Sequence, residues 1–215
     1  AQIIVFLLDN HEYKIWGFFF GLILSSAFLI LKDINHLSYN KTIWILSGIT
    51  IAAIISLSNT TKIPDSEIFI FFTGSIAITA MILPGISGSF ILLLLSKYEY
   101  IITAIKEFDI RVILIFGFGC IFGLIIFSRL LHFLFENYKD NLLSLLSGFL
   151  IGSLVKIWPF RKTIETRTNS DGVLEAVTTQ PIFPNIELQQ EILFFIVFSI
   201  IGYFLITIIQ KKSIS

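Results

Sequence analysis

Charge is scarce in this chain: of 215 residues, 14% are Asp, Glu, Lys or Arg, while 55% are hydrophobic. A soluble domain usually carries about 25% charged residues, so there is too little polar surface here to face water, and lipid is the expected solvent. The 15 basic and 15 acidic residues cancel, which leaves no basic footprint for a nucleic-acid partner. Cysteine is nearly absent. Cys120 stands alone in an apolar run, which excludes an internal disulfide and a cysteine metal cluster and leaves it as a small packing residue. Histidine is as sparse: His11, His36 and His132 are scattered at the ends of apolar runs, without metal-ligand spacing. Neither a metal nor a cofactor is expected, and the nucleophile-and-base or metal constellation that an intramembrane lipid-phosphate enzyme needs is missing. The N-terminus lacks the positive lead and small-residue cleavage site of a secretory signal.

What the chain has is apolar length. Runs extend over Ile15–Leu31, Thr42–Leu57, Ile68–Leu83, Val112–Phe135, Leu142–Trp158 and Ile192–Ile209, with shorter pieces at Phe90–Leu95 and Ile101–Ile105. A spanning helix needs about 20 residues, so the long runs predict an all-α polytopic membrane protein. Ser66 is placed to cap the third run. The opening stretch Gln2–Leu8 stops at Asp9; it is too short to cross and reads as the last turns of a helix begun upstream. One long polar segment, Pro159–Gln190, separates the last two runs. Within it Lys162–Thr168 and Val173–Thr178 alternate in character around Asn169-Ser170-Asp171-Gly172, which predicts a small β-hairpin outside the membrane.

The chain repeats itself at one offset. Phe6-Leu7-Leu8-Asp9-Asn10 matches Phe133-Leu134-Phe135-Glu136-Asn137, and without a gap Gly21 then falls on Gly148 and Ser26 on Ser153. Small residues spaced by four recur as Gly17, Gly21, Ser25 and as Ser144, Gly148, Gly152. This spacing lets two membrane helices approach closely, and two related halves around a central site are a common transporter plan. The organisation expected is the remainder of a first repeat over 1–67, a second repeat over 68–158, an extramembrane hairpin loop over 159–190 and a C-terminal spanning helix over 191–215. The repeat also predicts a broken helix upstream of Ala1, answering the one described next.

Pro84-Gly85-Ile86-Ser87-Gly88-Ser89 interrupts an otherwise apolar stretch. Proline removes a backbone donor and clashes with the preceding turn, glycine permits angles other residues resist, and Ser87 or Ser89 can cap a new helix. The expected result is a broken or re-entrant helix at 84–89, near the bilayer middle. Unwound backbone is tolerated there only if protein or a wet cavity surrounds it. Free amides at a helix start, carrying a partial positive charge of about half a unit, suit a phosphate or carboxylate. Arg129 lies inside a spanning run and shares a narrow stripe with His132 and Glu136, so it is a candidate partner for that anion or an interfacial residue that snorkels. Lys97, Tyr98 and Glu99 follow the short half-helix, with Lys97 able to reach the anion from the far side and Glu99 able to pair with Arg129. Lys156, Trp158, Arg161 and Lys162 read as interfacial anchors. Residues alone thus point to a carrier for an anionic substrate.

The run Leu83-Pro84-Gly85-Ile86-Ser87-Gly88-Ser89-Phe90-Ile91-Leu92, followed by Lys97-Tyr98-Glu99, resembles the undecaprenyl-phosphate translocase family of prokaryotes. That family carries Pro-Gly-hydrophobic-Ser-Gly-small at a membrane break with a Tyr-Glu pair soon after, typically in two copies. Here one copy is present, and Ser96 stands where the family usually has Gly. The resemblance implies a multi-pass protein of the prokaryotic cytoplasmic membrane that returns a polyprenyl phosphate lipid to the cytoplasmic face for peptidoglycan and other envelope polymers. It implies no enzymatic role. Its substrate-binding residues are expected at Pro84, Gly85, Ser87, Gly88, Ser89, Lys97, Tyr98, Glu99 and Arg129.

Overall fold

The computed structural model describes residues 2–34, 38–168, 174–184 and 188–214, with the side chains at 2–6, 8–9, 163–180 and 213–214 left aside. Its elements are α1 (Gln2–Lys32), α2 (Tyr39–Leu57), α3 (Glu67–Ile82), α4 (Gly88–Leu94), α5 (Tyr98–Lys106), α6 (Ile110–Asn137), α7 (Lys139–Ile157), β1 (Arg161–Thr168), β2 (Leu174–Pro181) and α8 (Gln189–Ile214). Among the described residues, five helices are long and apolar enough to span a membrane: α1 from Asn10, α2, α6, α7 and α8 to Lys212. The chain is a multi-pass α-helical membrane protein. The expected hairpin is present as an antiparallel ribbon in which Arg161 pairs with Pro181 and Thr168 with Leu174, with an irregularity around residue 164. Its Asn169–Gly172 turn lies outside the described residues, as does His36.

Helix pairing follows the small residues. α1 runs parallel to α8, with Gly17 against the Phe195 backbone and Gly21 against that of Ser199. α2 runs parallel to α7, with Gly48 against Gly148 and Gly152 against Ala52, and Lys41 reaches Asp140 at 2.6 Å near the starts of both. α1 meets α7 head to tail, since Tyr13 stacks on Phe160 at 5.3 Å and Phe20 meets Trp158 at 6.2 Å. α1 and α7, the helices that carry the matched stripes, therefore cross in opposite directions. Each is entered through the same backbone corner: His11 has φ −142°, ψ 41° and Tyr138 has φ −138°, ψ 37°. These two corners stand at matching positions of the sequence repeat. α7 is the most enclosed span, with 56% of its most apolar stretch buried, against 11–22% for the other four.

α3 runs parallel to α6, with Gly119 against Phe71 and Gly123 against Ser75, and the Ser75 hydroxyl donates to Gly119 O at 2.8 Å. After Ile82 the chain turns back on itself. Gly88 packs on the Ala77 backbone, and Thr61 N–H, in the loop before α3, donates to Leu94 O at 2.6 Å. α3 and α4 thus form a re-entrant helical hairpin, both of whose ends lie on the side of the bundle that carries β1 and β2. α5 then leaves α4 at 109°. This corner is a Schellman motif: Lys97 N–H donates to Leu92 O at 2.8 Å and Ser96 N–H to Leu93 O at 3.0 Å, with Ser96 at φ 52°. That angle favours glycine, which explains why glycine is usual at this place in the resembling family. Phe108, at φ 55°, ends α5 the same way, with Asp109 N–H on Ala104 O at 2.9 Å. The Asp109 carboxylate then caps α6 by accepting from Val112 N–H at 3.2 Å.

Two stability outcomes follow. Ser96→Gly removes a left-handed strain of about 1–2 kcal/mol and raises the thermal midpoint in detergent. Gly21→Leu puts a Cβ 1.9 Å from Ser199 O, so α1 and α8 must separate. Its expected cost is at least the roughly 1–3 kcal/mol of ordinary overpacking, read as a lowered midpoint in the same assay.

Candidate functional site

Pro84 and Gly85 form the tip of the re-entrant hairpin. Gly85 has φ +83°, and a Cβ there would lie 2.6 Å from Ser153 Oγ and 3.1 Å from Phe149 O on α7. Both the backbone angle and the close wall demand glycine. Phe149 and Ser153 stand about 15–21 Å along α7 from its start at Lys139 by helical rise. A hydrocarbon core is about 30 Å thick, so the tip lies near mid-depth, as its sequence predicts. Ser153 is buried and donates to Leu150 O at 2.8 Å, leaving its oxygen as wall rather than ligand.

Ser87 occupies the N-cap position of α4 with φ −102°, ψ 132°. Its hydroxyl does not cap an amide as expected; it pairs with the Ser89 hydroxyl at 2.8 Å. Ser66 likewise holds the N-cap backbone position of α3 without a side-chain cap bond. Beside the tip is a cavity of about 130 Å³, lined by Ile55 and Ser56 of α2, Gly85, Ile86 and Ser87 of the turn, Phe90 of α4 and Lys156 of α7. The Lys156 ammonium sits 4.0 Å from the centre of the Phe90 ring. A larger open groove of about 540 Å³ runs along the other side of α2, lined by Ile49, Thr50, Ala53, Ile54, Leu57 and Ser58. Its two hydroxyls are spent on Leu46 O and Ile54 O, so it offers apolar contact and no charge.

The remaining predicted residues are spread out. Lys97 is buried and its ammonium is engaged by Asp65 and set 5.5 Å from the Tyr100 ring centre. It stands at the far end of α4 from Ser87, about 10 Å away by helical rise, and braces the α4–α5 corner. Tyr98 and Glu99 are exposed on the first turn of α5. Arg129 is exposed on α6, and no ion pair joins it to Glu99 among the described residues. In its stripe it is His132 and Glu136 that pair, at 3.3 Å. The structure therefore gathers Gly85 and Ser87 at the cavity, keeps Pro84, Gly88 and Ser89 beside them in the chain, and sets Lys97, Tyr98, Glu99 and Arg129 apart.

Lys156, expected as an interfacial anchor, also lines the cavity beside the tip. It continues the stripe Ser144, Gly148, Gly152 by one more step of four, at the exposed end of α7. The neighbouring anchors have other work. The Arg161 guanidinium donates to Val155 O at 3.1 Å and Lys156 O at 3.2 Å, closing the C-terminal end of α7. Partial burial lowers the Arg161 pKa from its ordinary value, yet a guanidinium remains a cation. Trp158 donates its indole N–H to Ile182 O at 2.9 Å and packs on Phe160 and Phe195, fixing the base of the ribbon to α8.

Gly85→Ala is expected to disrupt the tip. It combines a left-handed penalty of about 1 kcal/mol with a contact nothing rigid can yield. Loss of the monodisperse peak in size-exclusion chromatography, or a thermal midpoint lowered by several degrees, is the outcome to look for.

Comparison with known proteins agrees with this architecture. The pattern of the undecaprenyl phosphate translocase-like family matches residues 1–175. The chain is 42% identical over 172 residues to a polyprenyl-phosphate transporter of Vibrio cholerae serotype O1, covering 80% of this chain and 56% of that protein. It is 33% identical over 172 residues to a polyprenyl-phosphate transporter of Staphylococcus aureus, covering 72% of this chain and 61% of that protein. The chain thus spans about three fifths of the length of these curated relatives. No solved structure matches it significantly. The names of the family and of both relatives are those of transporters rather than enzymes, and the chain belongs to the undecaprenyl phosphate translocase-like family.

Proposed function

We propose that the protein carries a polyprenyl phosphate across a prokaryotic cytoplasmic membrane, returning the lipid to the cytoplasmic face for envelope polymer synthesis. The observation that carries this reading is the hairpin tip at Pro84–Gly85, which brings an unwound turn near mid-depth of an otherwise apolar bundle, with the hydroxyls of Ser87 and Ser89 and a small cavity beside it. An anionic headgroup crossing a bilayer needs such a waypoint, because an unpaired charge at the bilayer centre costs at least about 3 kcal/mol. The prenyl tail needs none, since lipid is already its solvent.

In this reading the protein is built as two inverted units, the first contributing α1 and α2, the second α3 to α7, with the ribbon and α8 following. The headgroup enters on the ribbon side, rests at Ser87 and Ser89 beside the tip, and leaves toward the opposite side, where Arg129 offers a cation on the open face of α6. Arg129 lies about 12 Å from the end of α6 at Asn137 by helical rise, short of the tip on the other half of the bilayer. Rocking of the two units about α1 and α7 would alternate access. Tyr98 and Glu99 lie at the outer corner and would meet the headgroup before or after passage.

The test is protein-driven redistribution of the lipid. Full-length protein is reconstituted into vesicles with a labelled polyprenyl phosphate, and an impermeant phosphatase is added outside. Without protein, hydrolysis stops once the outer leaflet is consumed; with protein it is expected to run to completion. Arg129→Ala is expected to slow the second phase by about tenfold, the usual worth of a lost charge-assisted contact. Hydrolysis that stops at the outer-leaflet share with protein present would sink the carrier reading.

A further inference from the structure

We infer that Lys156 is the cation that receives the phosphate monoester of the headgroup. The inference rests on the carrier reading and deepens it by naming the charge at the cavity. Lys156 is in the last turn of α7, on the face that continues the buried small-residue stripe. The residue is exposed at the end of the helix, and its ammonium lies over the Phe90 ring, 4.0 Å from the centre. Among the described residues it has no carboxylate partner, in contrast to Lys41, Lys97 and Arg111, which are paired with Asp140, Asp65 and Glu67.

Lysines also rest on rings at Phe194, Phe28 and Phe135. What separates Lys156 from these is what shares its space. The cavity of about 130 Å³ that it lines also holds the hydroxyls of Ser56 and Ser87. Ser56 is instructive. The serines at 47 and 58 on the same helix donate back to Ile43 O and Ile54 O, whereas Ser56 makes no hydrogen bond among the described residues. Its hydroxyl and the Ser87 hydroxyl, which shares one hydrogen bond with Ser89, line the cavity with the ammonium, and no acidic side chain does. An acid-free hollow with one cation and two hydroxyls matches a phosphate monoester, which accepts through three oxygens and carries nearly two negative charges at neutral pH. The cation–π contact holds the ammonium in place when the site is empty and is weaker than the charge-assisted bonds a phosphate would offer. The headgroup therefore draws Lys156 off the ring and onto itself.

The experiment is binding of a fluorescent polyprenyl monophosphate to the full-length protein in lipid nanodiscs, with inorganic phosphate and the uncharged polyprenol as competitors. Lys156→Gln is expected to weaken binding by about tenfold or more, and Lys156→Arg to stay within about threefold, because the charge is what counts. Ser87→Asp, which keeps the lysine but gives it a fixed carboxylate, is expected to weaken binding as Lys156→Gln does. Competition by millimolar inorganic phosphate, lost in Lys156→Gln, supports the assignment and shows that the headgroup alone suffices. Competition by the lipid phosphate but not by inorganic phosphate supports it for the lipid headgroup as the source. Wild-type affinity in both Lys156→Gln and Ser87→Asp overturns it while leaving the carrier reading intact, as does equal competition by polyprenol, which would mean that only the tail is recognised. Failure of the wild-type protein to bind the lipid at all would remove the carrier reading with it.

Discussion

The close backbone approach along one face of α7 is the constraint on which the rest of the structure depends. Between membrane helices no hydrophobic force is available, because lipid tails are as apolar as leucine, so contact must come from packing at short range. Gly148 and Gly152 provide it by letting the backbone of α2 within van der Waals reach. Their neighbours Ser144 and Ser147 are fully buried and donate to carbonyls of their own helix, so they add no unpaired polar group to the interface. With α7 held this way, its next face is free to serve as a wall for the Gly85 turn. A bulkier α7 would push away both α2 and the hairpin tip, and the cavity between them would cease to exist.

The architecture was legible because spans, breaks and stripes are all local patterns. Hydrophobic length gave the helices, Pro84 and Gly85 gave the interruption, and the offset between Asp9-Asn10 and Glu136-Asn137 led to two corners with nearly the same backbone angles. The two strands of the ribbon were equally readable from their alternation. What could not be read was which polar side chains converge. Lys97 and Arg129 look alike in sequence, as cations next to apolar runs, but one is enclosed with Asp65 and the other faces outward. That difference depends on where α4 turns relative to the loop before α3, a tertiary fact with no local signature. That the ammonium of Lys156, an interfacial lysine by its place at a helix end, lies over the Phe90 ring is likewise a tertiary fact with no local signature. Ser87 or Ser89 was expected to cap an amide, and the two hydroxyls bond each other instead.

Charge pairing within the bundle separates positioning from recognition. Lys97 with Asp65, Arg111 with Glu67 and Lys41 with Asp140 tie elements that are distant in sequence, and a cation already engaged in this way has little left to offer a ligand. Among the described residues, the lysine at the cavity meets a ring and no carboxylate. In a bilayer this distinction is sharper than in water, because an unneutralised charge near hydrocarbon is costly and persists where something else is meant to share it.

The re-entrant hairpin has a mechanical consequence. Its two legs are fastened on a single side of the bundle, by the Thr61–Leu94 bond and the Lys97–Asp65 pair, while its tip ends in mid-depth. It is a cantilever, clamped at the base and loaded at the free end. A through-going helix would have to slide its whole length to move its centre, with polar termini at both surfaces resisting. A clamped hairpin can deflect at Gly85 while its base stays put, so a displacement of α7 is transmitted to the point of greatest leverage and to no other part of the hairpin.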